Sequence, residues 1–180
     1  MLEKDVRTLH NFVKKFKRFQ KQYYPKKTEE NDNGEWEIGI PPHLLIETLD
    51  YPEWFELLCQ HSIETDYYNA RWQFAEQIGS YKGESDIKEL LFAFIESGDE
   101  YTERMALQSL CEHFPKQAEE YAVKFWNRNI YREDEYQKIM ALYALHRVKS
   151  PLLKKYIEKA YETDYGYLKG WADKYADEAE

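Results

Sequence analysis

The groups best suited to catalysis or metal binding in this 180-residue chain are five histidines, two cysteines and many carboxylates. Two isolated cysteines, Cys59 and Cys111, are too few for a zinc site built on thiolates. No histidine stands in the HExxH arrangement that places two imidazoles on one helix face. Glu112-His113, at a predicted helix end, is typical of charge compensation of the helix dipole. The spacing therefore predicts no metal site.

The carboxylates are numerous, but their positions single out no general acid or base. Glu119-Glu120, Glu133-Asp134-Glu135 and Asp177-Glu178 lie where predicted helices begin or end, which is typical of a solvated acidic surface. The sequence contains no GxGxxG, no GxxxxGK[ST] and no GxSxG, so it signals neither a phosphate-binding loop nor a nucleophile elbow. We therefore expect no enzymatic activity, no catalytic residue and no cofactor.

Charge is unevenly placed along the chain, whose formal net charge is −9 and whose pI is about 5.2. Residues 1–30 carry nine Lys or Arg and four Asp or Glu, a net charge of +5, so the other 150 residues carry −14. Proteins that bind duplex nucleic acid are basic, so nucleic acid is not the expected partner. Charges interrupt the N-terminus where a signal peptide would be apolar, and no run approaches the ~20 apolar residues of a membrane span. We expect a cytoplasmic protein without membrane contact.

Apolar spacing divides the chain into three parts. Residues 1–24 contain a basic amphipathic helix, whose apolar residues recur every three or four positions and which ends at Pro25. Residues 25–42 contain the breakers Asn-Gly and Pro-Pro and are predicted to be a loop or linker. Residues 43–180 are predicted to be almost entirely helical, with short connections.

Acidic turns followed by tyrosine recur through the helical part. Asp66, Asp99, Asp134 and Asp164 are spaced 33, 35 and 30 residues apart, and each lies within two residues of a tyrosine. Apolar residues follow each Asp at matching offsets. A period in this range is typical of stacked helical hairpins, which bury their apolar faces against one another.

Two of these turns continue as Asp-x4-Arg and an Ala/Leu-rich helix, which resembles the turn and second helix of HEAT repeats, especially of the phycobilisome-lyase type. The resemblance covers about residues 50–178. It implies an all-α, right-handed α-α superhelix of four or five hairpins with an additional N-terminal helix. It also implies first helices near 53–63, 87–97, 118–127 and 151–161, and second helices near 69–79, 102–113, 136–147 and 166–177. The turn residues implied to form a structural ladder are Asp66, Arg71, Asp99 and Arg104.

HEAT-like proteins usually bind partners on a concave face lined by their second helices. The resemblance implies that Trp72, Met105 and Met140 form an apolar row on this face, flanked by Glu76 and Glu112. Large polarizable side chains beside carboxylates suit a basic helix or tail. The alternative is that the three apolar side chains belong to the core.

The tyrosines at the turns form a second candidate surface. Tyrosine is common among interface hot spots, and neighbouring acid steers a basic partner. The alternative is that each ring staples its turn to the next hairpin. The basic N-terminal helix likewise has two interpretations, an anionic partner or the acidic body of its own chain. The tyrosines are Tyr67, Tyr68, Tyr101 and Tyr136, with Tyr165 and Tyr167 at the last turn.

These features predict a monomeric, non-enzymatic scaffold that binds a basic protein or peptide, for example an immunity or inhibitor protein that neutralises a basic toxin. Two alternatives follow from the HEAT resemblance. One is a DNA-alkylation-repair-like glycosylase or DNA-binding protein, in which Trp72 and a carboxylate would contact damaged DNA. The other is a bilin-lyase-like protein. The acidic body disfavours the DNA alternative, because such a groove should be positive.

Overall fold

The computed structural model describes residues 71–81, 87–128 and 134–178, together with Lys14 and the pairs 55–56, 59–60 and 62–63. The predicted linker and, apart from Lys14, the predicted N-terminal helix lie outside these residues. The described residues form seven α-helices and no strand, which confirms the all-α class for this part of the chain. The helices are α1 (Arg71–Gln77, followed by a 3-10 turn at Ile78–Ser80), α2 (Lys88–Ile95), α3 (Glu100–His113), α4 (Pro115–Asn127), α5 (Asp134–Arg147), α6 (Leu153–Tyr161) and α7 (Gly166–Glu178).

Local signals explain where several helices begin. Asp99 is the N-cap of α3, where its carboxylate accepts hydrogen bonds from the backbone N–H of Thr102, at 3.3 Å, and from the hydroxyl of the same residue. Pro115 opens α4 at a position where its missing N–H would have no partner within the helix. Helix α5 begins with two acidic residues and ends with two basic ones, as the helix dipole favours.

The helices pack in a regular order. Each helix packs on the next, and α1, α3, α5 and α7 also pack on one another in turn. Helices α2, α4 and α6 each bridge two helices of that row. Aromatic contacts join the bridging helices, with ring centres 5.8 Å apart for Phe92 and Tyr121 and 5.0 Å apart for Trp126 and Tyr156.

The same buried positions recur in successive helices. Helix α5 repeats five buried positions of α3 at a spacing of 35 residues, and α7 repeats three of them 31 residues further on. Three buried positions of α1 precede their α3 counterparts by 32 residues. Equal burial therefore defines which residues of the row are equivalent. The five positions of α3 are Thr102, Ala106, Leu107, Ser109 and Leu110.

Candidate partner-binding face

One side of α3, α5 and α7 lies away from the buried positions. Its residues recur at i, i+4, i+7 and i+11 in each helix, and the equivalence defined by burial aligns them between helices. None of them is buried. We call this surface the α3–α5–α7 face, and it consists of Tyr101, Met105, Gln108, Glu112, Tyr136, Met140, Tyr143, Arg147, Tyr167, Trp171 and Lys174.

Aromatic side chains are exposed on this face. Among the described residues four large hydrophobic side chains are exposed, and three of them, Tyr136 (46%), Tyr167 (72%) and Trp171 (36%), belong to the α3–α5–α7 face. The fourth, Tyr161, lies on α6, and its hydroxyl donates a hydrogen bond to Asp173. The exposed aromatic surface is therefore concentrated on one side of α5 and α7.

Arg104 joins two tyrosines of this face. Its guanidinium carbon lies 4.9 Å from the ring centre of Tyr101 and 5.2 Å from that of Tyr136. Nε of Arg104 lies 2.6 Å from a carboxylate oxygen of Glu100, one helical turn earlier. Gln137 on α5 donates a hydrogen bond of 2.6 Å to the same carboxylate. One cation thus links α3 to α5 through a ring on each helix.

The junction between α5 and α7 is held by two carboxylates. Glu135 accepts hydrogen bonds from the backbone N–H groups of Tyr167, at 2.8 Å, and Leu168, at 3.1 Å, and so caps the N-terminus of α7 from outside the helix. Asp134 accepts a hydrogen bond from the hydroxyl of Tyr165 at 2.9 Å. That hydrogen bond raises the pKa of Tyr165. Lys138, one turn later, lies 2.7 Å from the Asp134 carboxylate.

The methionines predicted to bind a partner occupy equivalent positions of the face. Met105 and Met140 are 35 residues apart, and each is half-buried against the core. Equal burial aligns them with Gln73 on α1 and with Trp171 on α7. The row on this face is therefore Gln73, Met105, Met140 and Trp171, and Trp171 is a member that the sequence pattern missed.

Trp72 lies one position away from that row. The sequence pattern aligned it with Met105, whereas burial aligns it with Arg104. Its ring centre lies 5.2 Å from that of Tyr101, and its indole N–H is buried without a hydrogen-bond partner. Trp72 therefore extends the contact between Tyr101 and Arg104 towards α1.

The two predicted acidic flanking residues differ in their surroundings. Glu76 is half-buried near the end of α1. Glu112, at the end of α3, forms an exposed ion pair with Arg147 of α5 at 2.8 Å, and hydrogen bonding to Glu112 raises the pKa of Arg147. An exposed pair of this kind adds little stability, so both of its charges remain accessible to solvent and to partners.

The predicted turn residues are placed by local contacts. Arg71 donates hydrogen bonds of 3.0 Å to the backbone carbonyls of Ser62 and Ile63, and Asp99 caps α3. Asp66 and the predicted ridge residues Tyr67 and Tyr68 lie outside the described residues. Glu103, at the position that burial makes equivalent to Arg71, pairs with Arg128 and accepts a hydrogen bond from the backbone N–H of Gly98 at 3.0 Å.

Neither a metal centre nor a reactive thiol is found in the described part of the chain. There, no three His, Cys, Asp or Glu side chains are grouped as metal ligands would be. Cys59 and Cys111 are buried free thiols, and burial raises the pKa of Cys111 to about 12 and that of Cys59 well above its ordinary value. None of the helices described combines the length and apolar composition needed to span a bilayer.

Comparisons with protein-family models, with curated proteins and with solved structures find no significant match to this chain. The function is therefore argued from the residues of the α3–α5–α7 face and their geometry.

Proposed function

We propose that this chain is a non-enzymatic binding scaffold, a stack of HEAT-like helical hairpins that holds a basic protein segment on the α3–α5–α7 face. The observation that carries the proposal is the joint exposure of Tyr136, Tyr167 and Trp171 on that face. Clustered exposed apolar side chains mark interaction sites, and tyrosine and tryptophan are the residues most enriched in interface hot spots.

The recurrence of buried positions supports the stacked architecture. A spacing of 31 to 35 residues between equivalent positions fits one helical hairpin per repeat. In such a stack each hairpin contacts its neighbours, and the same side of every second helix contributes to one continuous surface. That surface is long enough to hold an extended or helical segment of a partner.

Charge supports a basic partner. The chain carries a net charge of −9, so a positively charged segment is attracted over long distances and its association is accelerated. Glu76 and Glu112 lie at the ends of α1 and α3, and Glu135 lies at the junction of α5 and α7. Aromatic side chains then supply the short-range contacts that fix the partner after it arrives.

Engaged carboxylates support binding rather than catalysis. Glu103 is buried and paired with Arg128, while Asp134 and Glu135 bind groups at the start of α7. These carboxylates are used to hold helices in place. An isolated carboxylate with a raised pKa is the usual general acid, and these three have structural partners instead.

The experiment that tests the proposal compares two charge reversals. The immobilised full-length chain captures partners from a native lysate, and a captured protein is identified, purified and titrated against two double variants. Glu76→Lys/Glu112→Lys changes the row of α1 and α3, whereas Glu119→Lys/Glu120→Lys changes α4, and each variant shifts the net charge from −9 to −5.

The proposal expects the partner to be basic and to bind the Glu76/Glu112 variant about tenfold more weakly than the α4 variant. An equal loss in both variants would mean that only net charge matters. An acidic partner, or one that binds both variants as strongly as the wild type, would also overturn the proposal. Circular dichroism of both variants shows that the fold is retained.

A further inference from the structure

Arg104 shows how this face holds an arginine side chain. Its guanidinium lies over the rings of Tyr101 and Tyr136, with distances of 4.9 and 5.2 Å to their centres, and it pairs with Glu100. A planar guanidinium favours this arrangement because it stacks on aromatic rings and binds a carboxylate at the same time. The arrangement needs one carboxylate and two tyrosines on neighbouring helices.

The same three groups recur one helix further along the row. A spacing of 35 residues takes Glu100 to Glu135 and Tyr101 to Tyr136, and a further 31 residues take Tyr136 to Tyr167. Helices α5 and α7 pack on each other as α3 and α5 do. The carboxylate and both tyrosines are therefore present a second time.

The arginine is missing from this second set. Ile139 stands at the position of Arg104, and no cation of the described residues lies over the ring of Tyr167. Tyr136 and Tyr167 are also the two most exposed large hydrophobic side chains of the described residues, at 46% and 72%. Glu135 is held at the junction by the N–H groups of α7.

We infer that Tyr136, Tyr167 and Glu135 form a binding site for an arginine side chain of the basic partner. The partner's guanidinium stacks on the two rings and pairs with the carboxylate, and so completes the arrangement that Arg104 completes between α3 and α5. This inference rests on the proposed function and names the side chain that the partner contributes. A lysine fits less well, because its ammonium is strongly hydrated and cannot stack.

The test uses short fluorescent oligoarginine and oligolysine peptides of equal length and charge, titrated against the full-length protein at near-physiological salt. The wild type is expected to bind oligoarginine more tightly than oligolysine. Tyr167→Leu removes the exposed ring while keeping an apolar side chain, and it should weaken oligoarginine binding about three- to thirtyfold. Tyr167→Phe keeps the ring and should retain the affinity.

Two further variants complete the test. Tyr161→Leu removes an exposed tyrosine of α6, outside the face, and should leave binding unchanged. Ile139→Arg supplies the guanidinium from within the chain and should block oligoarginine. If that variant fails to fold, the Tyr167 pair of variants still decides the question.

Equal binding of the two peptides, no binding of oligoarginine, or an affinity indifferent to Tyr167→Leu would overturn the arginine site. The proposed function is tested separately by the Glu76/Glu112 reversal. A purified basic partner that is lost on that reversal but binds the Tyr167→Leu variant normally would leave the scaffold proposal standing and refute the arginine site alone.

Discussion

The backbone N–H of Gly79 donates a hydrogen bond of 3.1 Å to the hydroxyl of Ser109, which ties the end of α1 to α3. The same hydroxyl lies 2.6 Å from the carbonyl oxygen of Ala75, to which it donates. A Cβ atom at position 79 would lie 2.9 Å from Oγ of Ser109 and 3.2 Å from its Cα. The two helices therefore approach each other at a glycine because no larger residue fits.

Gly79→Ala is expected to destabilise the protein by about 1–3 kcal/mol, because the added methyl group forces α1 away from the backbone of α3. The measurement is the free energy of unfolding from urea denaturation. Gly170→Ala is the matched control, since Gly170 lies inside α7 and a Cβ atom there would meet nothing within 4 Å, and it should stabilise the protein by about 0.5–1 kcal/mol. The same change at two glycines should thus have opposite signs, and equal signs would contradict this packing.

Much of the helical pattern could be predicted from the sequence. The predicted second helices 102–113 and 136–147 end where α3 and α5 end, and each begins two residues late. The early residues were missed because charged and aromatic residues at a helix start resemble a turn. Helix α4 begins at Pro115 rather than at 118, because proline is favourable in the first turn of a helix.

The alignment of the first and last repeats could not be predicted to the residue. The turn aspartates Asp66 and Asp99 are 33 residues apart, whereas the buried positions of α1 and α3 are 32 residues apart. A solvated turn tolerates an extra residue, but a buried position is fixed by packing. This one-residue difference put Trp72 in place of Gln73 and Gly170 in place of Trp171. The stacking of Arg104 on two tyrosines depends on the distance between helices, which the sequence pattern does not contain.

Glu135 is expected to stabilise α7 by capping its N-terminus from α5. Glu135→Ala removes the acceptor of the N–H groups of Tyr167 and Leu168 and should cost about 0.5–2 kcal/mol. Hydrogen exchange of those two amides should accelerate more than exchange in α3. Glu162→Ala, an exposed residue in the α6–α7 turn, is the control and should leave both amides unchanged. Equal exchange rates in the two variants would show that Glu135 does not act as the cap.

Lys149 occupies a position that favours glycine. Its φ angle is +54°, and the turn after α5 is closed by hydrogen bonds from Lys149 N–H to the carbonyl of His146 and from Ser150 N–H to that of Leu145. A left-handed residue after a helix costs a non-glycine side chain about 1–2 kcal/mol. Lys149→Gly should therefore raise the free energy of unfolding by up to about that amount. Lys149→Ala tests whether charge is responsible, and a similar gain in both variants would exclude the backbone explanation.

Cys111 is expected to make the protein less stable in alkali. Burial, the largest cause, and the nearby Glu112 raise the pKa of its thiol to about 12 in the folded state. In the unfolded chain the thiol ionises near its ordinary pKa of about 8.5 to 9, so above that pH the unfolded state binds fewer protons than the folded state. The stabilising contribution is complete below about pH 9 and is lost as the pH rises towards about 12.

Each pH unit within that window should remove up to about 1.4 kcal/mol from this one group. Urea unfolding at about pH 8 and about pH 10 measures the loss. Buried Cys59 and Tyr121 shift in the same direction, so the wild type alone does not isolate Cys111. Cys111→Ala should reduce the loss of stability between the two pH values, whatever its effect at neutral pH. The same loss in the variant and the wild type would show that the Cys111 thiol does not titrate as its burial requires.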